Sequence, residues 1–179
     1  MNYPTIAAFG EALTGFVFYY PLFMAYLWMA GGVFYWFHYE RKANKPGEPP
    51  PLERYPSVAV IVPCRNEEAH ATETIERLMA SEYPDLEVIA VDDGSTDGTG
   101  ALLERLADRF PKLRVIHLLR NQGKATALNT AATMTGAEIL VCIDGDALLD
   151  PWAIHWLVFH FRSPRVGAVT GNPRVRTRS

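Results

Sequence analysis

Four short apolar runs, rich in β-branched residues, constrain this chain more than any other feature: VAVIV (58–62), LEVIAV (86–91), LRVIHL (113–118) and EILVCI (138–143). Their apolar residues stand side by side rather than alternating with polar ones, so each run predicts a strand buried on both faces. Segments with helical spacing separate them. Ile75, Leu78 and Met79 share one face of ATETIERLMASE (71–82), and Leu102, Leu103, Leu106 and Phe110 share one face of DGTGALLERLADRF (97–110). KATALNTAATMTG (124–136) is an Ala-rich helix with Gly136 as its expected C-cap. Pro151 opens a further expected helix, PWAIHWLVFHF (151–161), and VGAVTG (166–171) begins an expected fifth strand. Strands alternating with helices predict an α/β fold, a mostly parallel Rossmann-like sheet with helices on both sides.

The first 42 residues belong to a different class. Residues 13–37, LTGFVFYYPLFMAYLWMAGGVFYWF, contain no charged side chain. At about 1.5 Å per residue they reach roughly 37 Å, enough to cross a bilayer core with some tilt. Pro21 is a point where the helix could kink, and Gly31-Gly32 a point where it loosens or meets another helix. Tyr19, Tyr20, Tyr35, Trp36 and Tyr39 lie towards the ends, where amphipathic rings favour the interface. Arg41, Lys42 and Lys45 follow the segment and no basic residue precedes it. The expected topology is therefore one transmembrane helix, N-terminus outside, with the remaining chain in the cytoplasm. A signal peptide would need a basic leader, a shorter apolar core and a small-residue cleavage site, and none is visible. Residues 43–56 are Pro-rich and predict an extended linker; its second half reads equally as a loop packed on the domain that follows, residues 57–179.

Ligands of parallel α/β sheets bind beyond the carboxyl ends of the strands. Here the four strand ends read PCRNEE, DDGSTD, RNQGK and DGD. Caps and turns explain one such polar loop, but not four that should converge. Asp144 and Asp146 stand two apart, so an extended backbone points both the same way, with Gly145 leaving room for a close ligand. Two hard oxygens suit Mg²⁺ or Mn²⁺ completed by a substrate diphosphate. Asp92 and Asp93 can accept from a nucleobase N–H or ribose hydroxyls, whereas Ser95, Thr96 and Asp97 read as helix caps. Pro63 is expected to end its strand. Arg65 could meet phosphate or a neighbouring acid and Glu67 a ribose or base, or the two could pair with each other. Asn66 reads as a helix cap or as a ligand contact. Lys124 follows Gly123 at a helix start, where a lysine beside the positive dipole end forms an anion site. Cys64 and Cys142 show no metal-ligand spacing and read as reduced and structural; His117, His155 and His160 read as structural or surface residues.

Several classes are excluded. A net charge of −3 gives no basic field for nucleic acid. The first strand is followed by PCRNEE rather than a dinucleotide-binding GxGxxG, and Leu118 stands where a P-loop needs its first glycine. A haloacid-dehalogenase-type phosphatase also uses a strand-end DxD, but it would want Thr or Val where Leu148 stands, and that strand first rather than fourth.

Taken together, VAVIVPCRNEE (58–68), VIAVDDGST (88–96), NQGKATALN (121–129) and IDGD (143–146) resemble the family-two glycosyltransferases, which carry a GT-A fold. The match in order and spacing runs over residues 57–175. The stretch CIDGDALLD, the tail from Pro164 and the preceding apolar helix look most similar to the members that polymerise N-acetylglucosamine for bacterial biofilm matrix. The resemblance implies an inverting transfer from a UDP-sugar, UDP-N-acetylglucosamine, to a growing polysaccharide at the bacterial inner membrane, with lipid around the helices and a small membrane subunit as partner. It implies Asp92 and Asp93 on uracil or ribose. Pro63, Arg65 and Glu67 would flank the base, Lys124 would lie near the nucleotide, and Asp144 and Asp146 would hold metal and diphosphate.

The family also carries an acidic base in a Thr/Ser-Glu-Asp motif and a Gln-x-x-Arg-Trp motif, and neither occurs in these 179 residues. The expectation is an N-terminal fragment: the first half of a GT-A domain, holding the donor side of the site, with its base beyond Ser179 and no polymerising activity of its own. The alternative expectation is a catalytically incomplete, membrane-tethered nucleotide-sugar-binding or assembly module.

Overall fold

The computed structural model describes residues 4–39, 41 and 49–171. Lys42 and Lys45, the first half of the Pro-rich segment and residues 172–179 lie outside the described residues. The chain separates into two units, Met1–Gly47 and Glu48–Ser179.

The first unit is helix α1, Pro4–His38. It starts before the expected span and runs unbroken through Pro21. Within Ala8–His38 an 18-residue stretch has mean hydropathy 1.4 and no buried residue, so the helix is long and apolar enough to cross a membrane.

The second unit is built on β1 (Val58–Cys64), β2 (Leu86–Asp92), β3 (Leu113–His117) and β4 (Ile139–Cys142). All pair in parallel, in the order β3-β2-β1-β4. β1 and β2, apolar on both faces, take the centre and are buried almost throughout. The edges go to β3, where Arg114 and His117 are exposed, and to the four-residue β4. The connecting helices are α2 (Ala71–Met79), α3 (Thr99–Arg109), α4 (Lys124–Thr133) and α5 (Ala153–His160). Val60, Val62, Val88 and Ala90 pack in one core cluster with Ile75, Leu78, Leu103, Leu106, Ile154 and Val158, so α2, α3 and α5 cover one face. Ala59, Ile61, Ile89 and Val91 form the other cluster with Ala127 and Ala131 of α4. Two alanines four apart let that helix lie close on the sheet.

The sheet departs from the sequence expectation in four places. Pro63 does not end β1, which continues to Cys64. Its neighbours show why a proline is tolerated. Cys64 O accepts from Asp93 N on the β2 side, and Ile61 O accepts from Ile143 N on the β4 side. Alternation therefore points position 63 towards β4, whose pairing with β1 has already stopped at Ile61↔Cys142, so no ladder bond is lost. Gly136 is not a C-cap: α4 ends at Thr133 with Met134 as cap, and the Met134 carbonyl accepts from Arg114 Nη1 at 3.1 Å instead. Pro151 lies in the turn before α5, which begins at Ala153. Residues 166–171 form no strand, since among the described residues none supplies a ladder for them.

The second half of the Pro-rich segment packs on the domain. Leu52 joins the core and Tyr83 Oη donates to Pro56 O at 2.7 Å. His155 Nε2 meets Pro50 O at 3.0 Å, and Arg54 grips both oxygens of Glu138 at 2.7 Å.

Candidate functional site

The chain leaves β1 in one direction to build β2 and β3, then returns to lay β4 on the other side of β1. The crevice above that reversal is where open parallel sheets hold ligands, and Pro63, unpaired towards β4, keeps it open. A cleft of about 350 Å³ lies there. Pro63, Cys64, Arg65 and Glu67 line it from the β1 end and Asp93 from the β2 end. Asn121, Gly123 and Lys124 line it from the β3–α4 connection, and Asp144, Gly145 and Asp146 from the β4 end. All four polar strand ends meet at one rim.

These loops are braced against one another before any ligand arrives. Asn66, at φ 55°, donates its N–H to Ser95 Oγ and accepts from Thr96 N at 2.9 Å. Glu67 N donates to Thr99 Oγ1 at 2.9 Å, and Gly98 N to Glu68 Oε2 at 3.0 Å. Asn66 is therefore neither a cap of its own helix nor a residue of the cleft; it ties the β1 loop to the β2 loop. Asp97 accepts from Thr99 N at 3.0 Å and fits the capping expectation. Gly94, at φ +63°, lets the β2 loop touch the β3 loop: a Cβ there would stand 2.6 Å from Arg120 C and Asn121 N. Gly145 has no positive φ and is needed for space. Its carbonyl accepts from Thr74 Oγ1 at 2.8 Å, and a Cβ would crowd Pro63 O and Glu67 Cγ at 3.2 Å.

The two β2-end carboxylates separate. Asp92 does not line the cleft. One oxygen accepts from Ser95 N at 2.9 Å and the other lies 3.1 Å from His117 Nδ1. Burial pushes its carboxyl up, but the bonds from Ser95 and His117 prevail and hold it below the usual range. Asp93 does line the cleft, with one oxygen 2.7 Å from Gln122 N and the other 2.9 Å from Gly123 N. It fixes the turn that begins α4, which Asn121 also caps through Gly123 N at 3.0 Å. The Asn-x-Gly spacing at 121–123 was the available signal for that turn.

Lys124 Nζ forms an ion pair with Asp144 Oδ1. Arg65 and Glu67 make no pair with each other among the described residues, and Asp146 is exposed at the rim. Cys64 is a neutral floor to the cleft: burial, then Glu67 and Asp92, push its thiol up to about 12. It is no nucleophile at neutral pH. Among the described residues no group of three or more His, Cys, Asp or Glu could enclose a metal. Residues 145–146 form a turn, with Ala147 N donating to Asp144 O at 3.0 Å, rather than the expected extended segment, so alternation does not align the two acids. Both still line the exposed rim of the cleft, and carboxylates at an open rim fit a hard divalent cation that draws its other ligands from phosphate and water, and do not fit an enclosed structural metal.

A parallel sheet covered on both faces, with an acidic and cationic crevice at its switch point, defines a doubly wound α/β domain built to hold a charged ligand. The sequence model of glycosyl transferase family 2 matches residues 59–179, and the chain belongs to that family. Poly-beta-1,6-N-acetyl-D-glucosamine synthase of Staphylococcus epidermidis is 31% identical over 169 residues, 92% of this chain and 40% of the relative. The synthase of the same name from Staphylococcus aureus (strain COL) is 30% identical over 166 residues, again 92% and 40%. The chain thus spans about 40% of the length of these relatives. Among solved structures, a mannosyltransferase from Pyrobaculum calidifontis in complex with GDP-Man and Mn²⁺ is 34% identical with TM-score 0.68, over 82% of this chain and 44% of that one. S. aureus TarS 1-349 in complex with UDP-GlcNAc is 28% identical with TM-score 0.53, over 59% and 31%.

Proposed function

We propose that the crevice binds UDP-N-acetylglucosamine together with Mg²⁺ or Mn²⁺, as the donor site of an inverting, membrane-bound glycosyltransferase that builds a β-linked exopolysaccharide of biofilm. One observation carries this reading: the four strand-end loops put Asp93, Lys124, Asp144 and Asp146 around a single cleft. The relatives named poly-beta-1,6-N-acetyl-D-glucosamine synthase and the TarS complex with UDP-GlcNAc support the choice of sugar nucleotide.

The roles follow from position. Residues 63–67 form the wall against which a base lies, with Arg65 and Glu67 free to meet ribose, base or phosphate. Asp93, rather than Asp92, faces the nucleoside, because Asp92 is engaged beneath the loop. Each Asp93 oxygen spends one lone pair on a backbone amide and keeps another for a ribose hydroxyl or base N–H. Lys124 and the first amides of α4 attract the diphosphate. Asp144 and Asp146 hold the cation, which when bound neutralises charge on the departing diphosphate. No described residue is assigned as the base that takes the acceptor hydroxyl proton. Helix α1 crosses the bacterial inner membrane with its N-terminus outside and the domain, which begins at the packed strap, in the cytoplasm. Lipid, the growing polysaccharide and a small membrane subunit are the partners of this reading.

Calorimetric titration of the full chain in lipid nanodiscs with UDP-N-acetylglucosamine and GDP-mannose, with and without Mn²⁺, tests it. UDP-N-acetylglucosamine should bind more tightly, and only with metal. Asp146→Asn should weaken binding about tenfold or more through loss of a charged ligand. Preference for GDP-mannose, or indifference to metal, overturns the reading. Binding without sugar transfer in a parallel assay would favour a tethered nucleotide-sugar-binding module.

A further inference from the structure

The Lys124–Asp144 ion pair raises a conflict within the crevice. An ammonium seated on Asp144 Oδ1 repels a divalent cation approaching the same carboxylate and neutralises the charge that would attract it. Both side chains lie well exposed, 59% for Lys124 and 60% for Asp144, on loops that are themselves fixed. Lys124 begins α4 directly after Gly123, whose amide is anchored on Asp93, and Asp144 follows Ile143, whose amide donates to Ile61 O at 3.1 Å. With the backbone tethered at both positions, the long, exposed lysine side chain has the greater reach of the two.

We infer that Lys124 is a built-in placeholder for the divalent cation, and that it is released only when a nucleotide diphosphate arrives to receive it. This rests on the reading of the cleft as a metal and nucleotide site. Without ligand, the ammonium neutralises one acid of the Asp144–Asp146 pair and competes with free metal. With a diphosphate bound, phosphate oxygens offer the ammonium a doubly charged partner beside the α4 N-terminus. Asp144 is then vacated for the cation that the same diphosphate helps to ligate. Metal and nucleotide thereby bind as a pair, and the open rim does not collect metal alone. By linkage, each must raise the affinity of the other by the same factor.

The pair is solvent-exposed, so its worth is modest. Exposed ion pairs typically contribute 0.2–1 kcal/mol, which converts to about a 1.5- to 5-fold change in affinity. The test measures Mn²⁺ binding to the full chain in nanodiscs by the electron paramagnetic resonance of free Mn²⁺, with and without UDP, and UDP binding by calorimetry. Lys124→Gln should bind Mn²⁺ alone about two- to fivefold more tightly than wild type, bind UDP more weakly, and show a smaller mutual enhancement between the two. Arg120→Gln removes a positive charge from the same connection without touching Asp144, and should leave the Mn²⁺ affinity unchanged. Equal tightening in both variants would show a diffuse field rather than a placeholder, and would overturn the inference. So would unchanged coupling in Lys124→Gln. A wild-type chain that binds neither Mn²⁺ nor UDP overturns the reading of the site itself, and the inference with it.

Discussion

Asp92 and Asp93 are adjacent, and the fold gives them opposite tasks. Consecutive side chains leave an extended backbone on opposite sides, so one acid enters the cleft and the other turns under it. Asp92 meets His117, whose Nε2 also lies 2.6 Å from Glu104 Oε1. Glu104 first, then Asp92, hold the imidazolium form and raise the His117 pKa. The signs then define a window. Asp92 titrates lower in the folded protein than unfolded, so its contribution is present above about pH 4 and lost as pH falls further. His117 titrates higher when folded, so its contribution is complete below about pH 6.5 and lost as pH rises through its folded value. The stability deficit of His117→Gln, from denaturant unfolding, should therefore be largest between about pH 4 and 6.5 and shrink in alkali. A deficit constant from pH 5 to 9 would refute the coupling. The sequence marked both acids as site candidates but could not divide them, because which face a strand-end residue takes depends on the register of its neighbours.

At the scale of elements, loop bracing matters as much as the strands. The β1, β2 and β3 connections are locked through Asn66, Glu68, Gly94 and Asp93, so the cleft is largely preformed. Gly94→Ala should disturb it most economically. It adds one methyl at a left-handed residue and drives it into the backbone of residues 120–121. The expected cost is about 1–3 kcal/mol of unfolding free energy, with weaker UDP binding than the stability loss alone explains. Wild-type stability in that variant would disprove the bracing. The four strands and four helices among the described residues of the domain were legible because continuous apolar runs and 3.6-residue spacing report burial directly. The expected strand at 166–171 and the Gly136 cap were not, because a strand needs a partner ladder and a helix end needs only some donor for its last carbonyls. Arg114 supplied that donor from elsewhere in the fold.

At the scale of the whole chain, an apolar helix, uncharged over residues 13–37, and a polar-rimmed α/β domain form separate units. The two cysteines offer a test of how they are disposed across a membrane. Cys142 is exposed on the domain, and Cys64 is buried with its thiol pushed up to about 12. In intact cells a membrane-impermeant maleimide should label neither, and after permeabilisation it should label Cys142 alone. Labelling of Cys142 in intact cells would place the domain outside and reject the proposed topology. The sequence by itself determined the apolar helix, the alternation of strands and helices, and the four polar strand ends, because periodicity and composition are local properties of a chain. Only the tertiary structure decided that Asp93 rather than Asp92 enters the cleft, that the proline-rich strap is part of the domain, and that Lys124 sits on Asp144. Those outcomes depend on strand order and register, which join residues far apart in the chain and which no local pattern encodes.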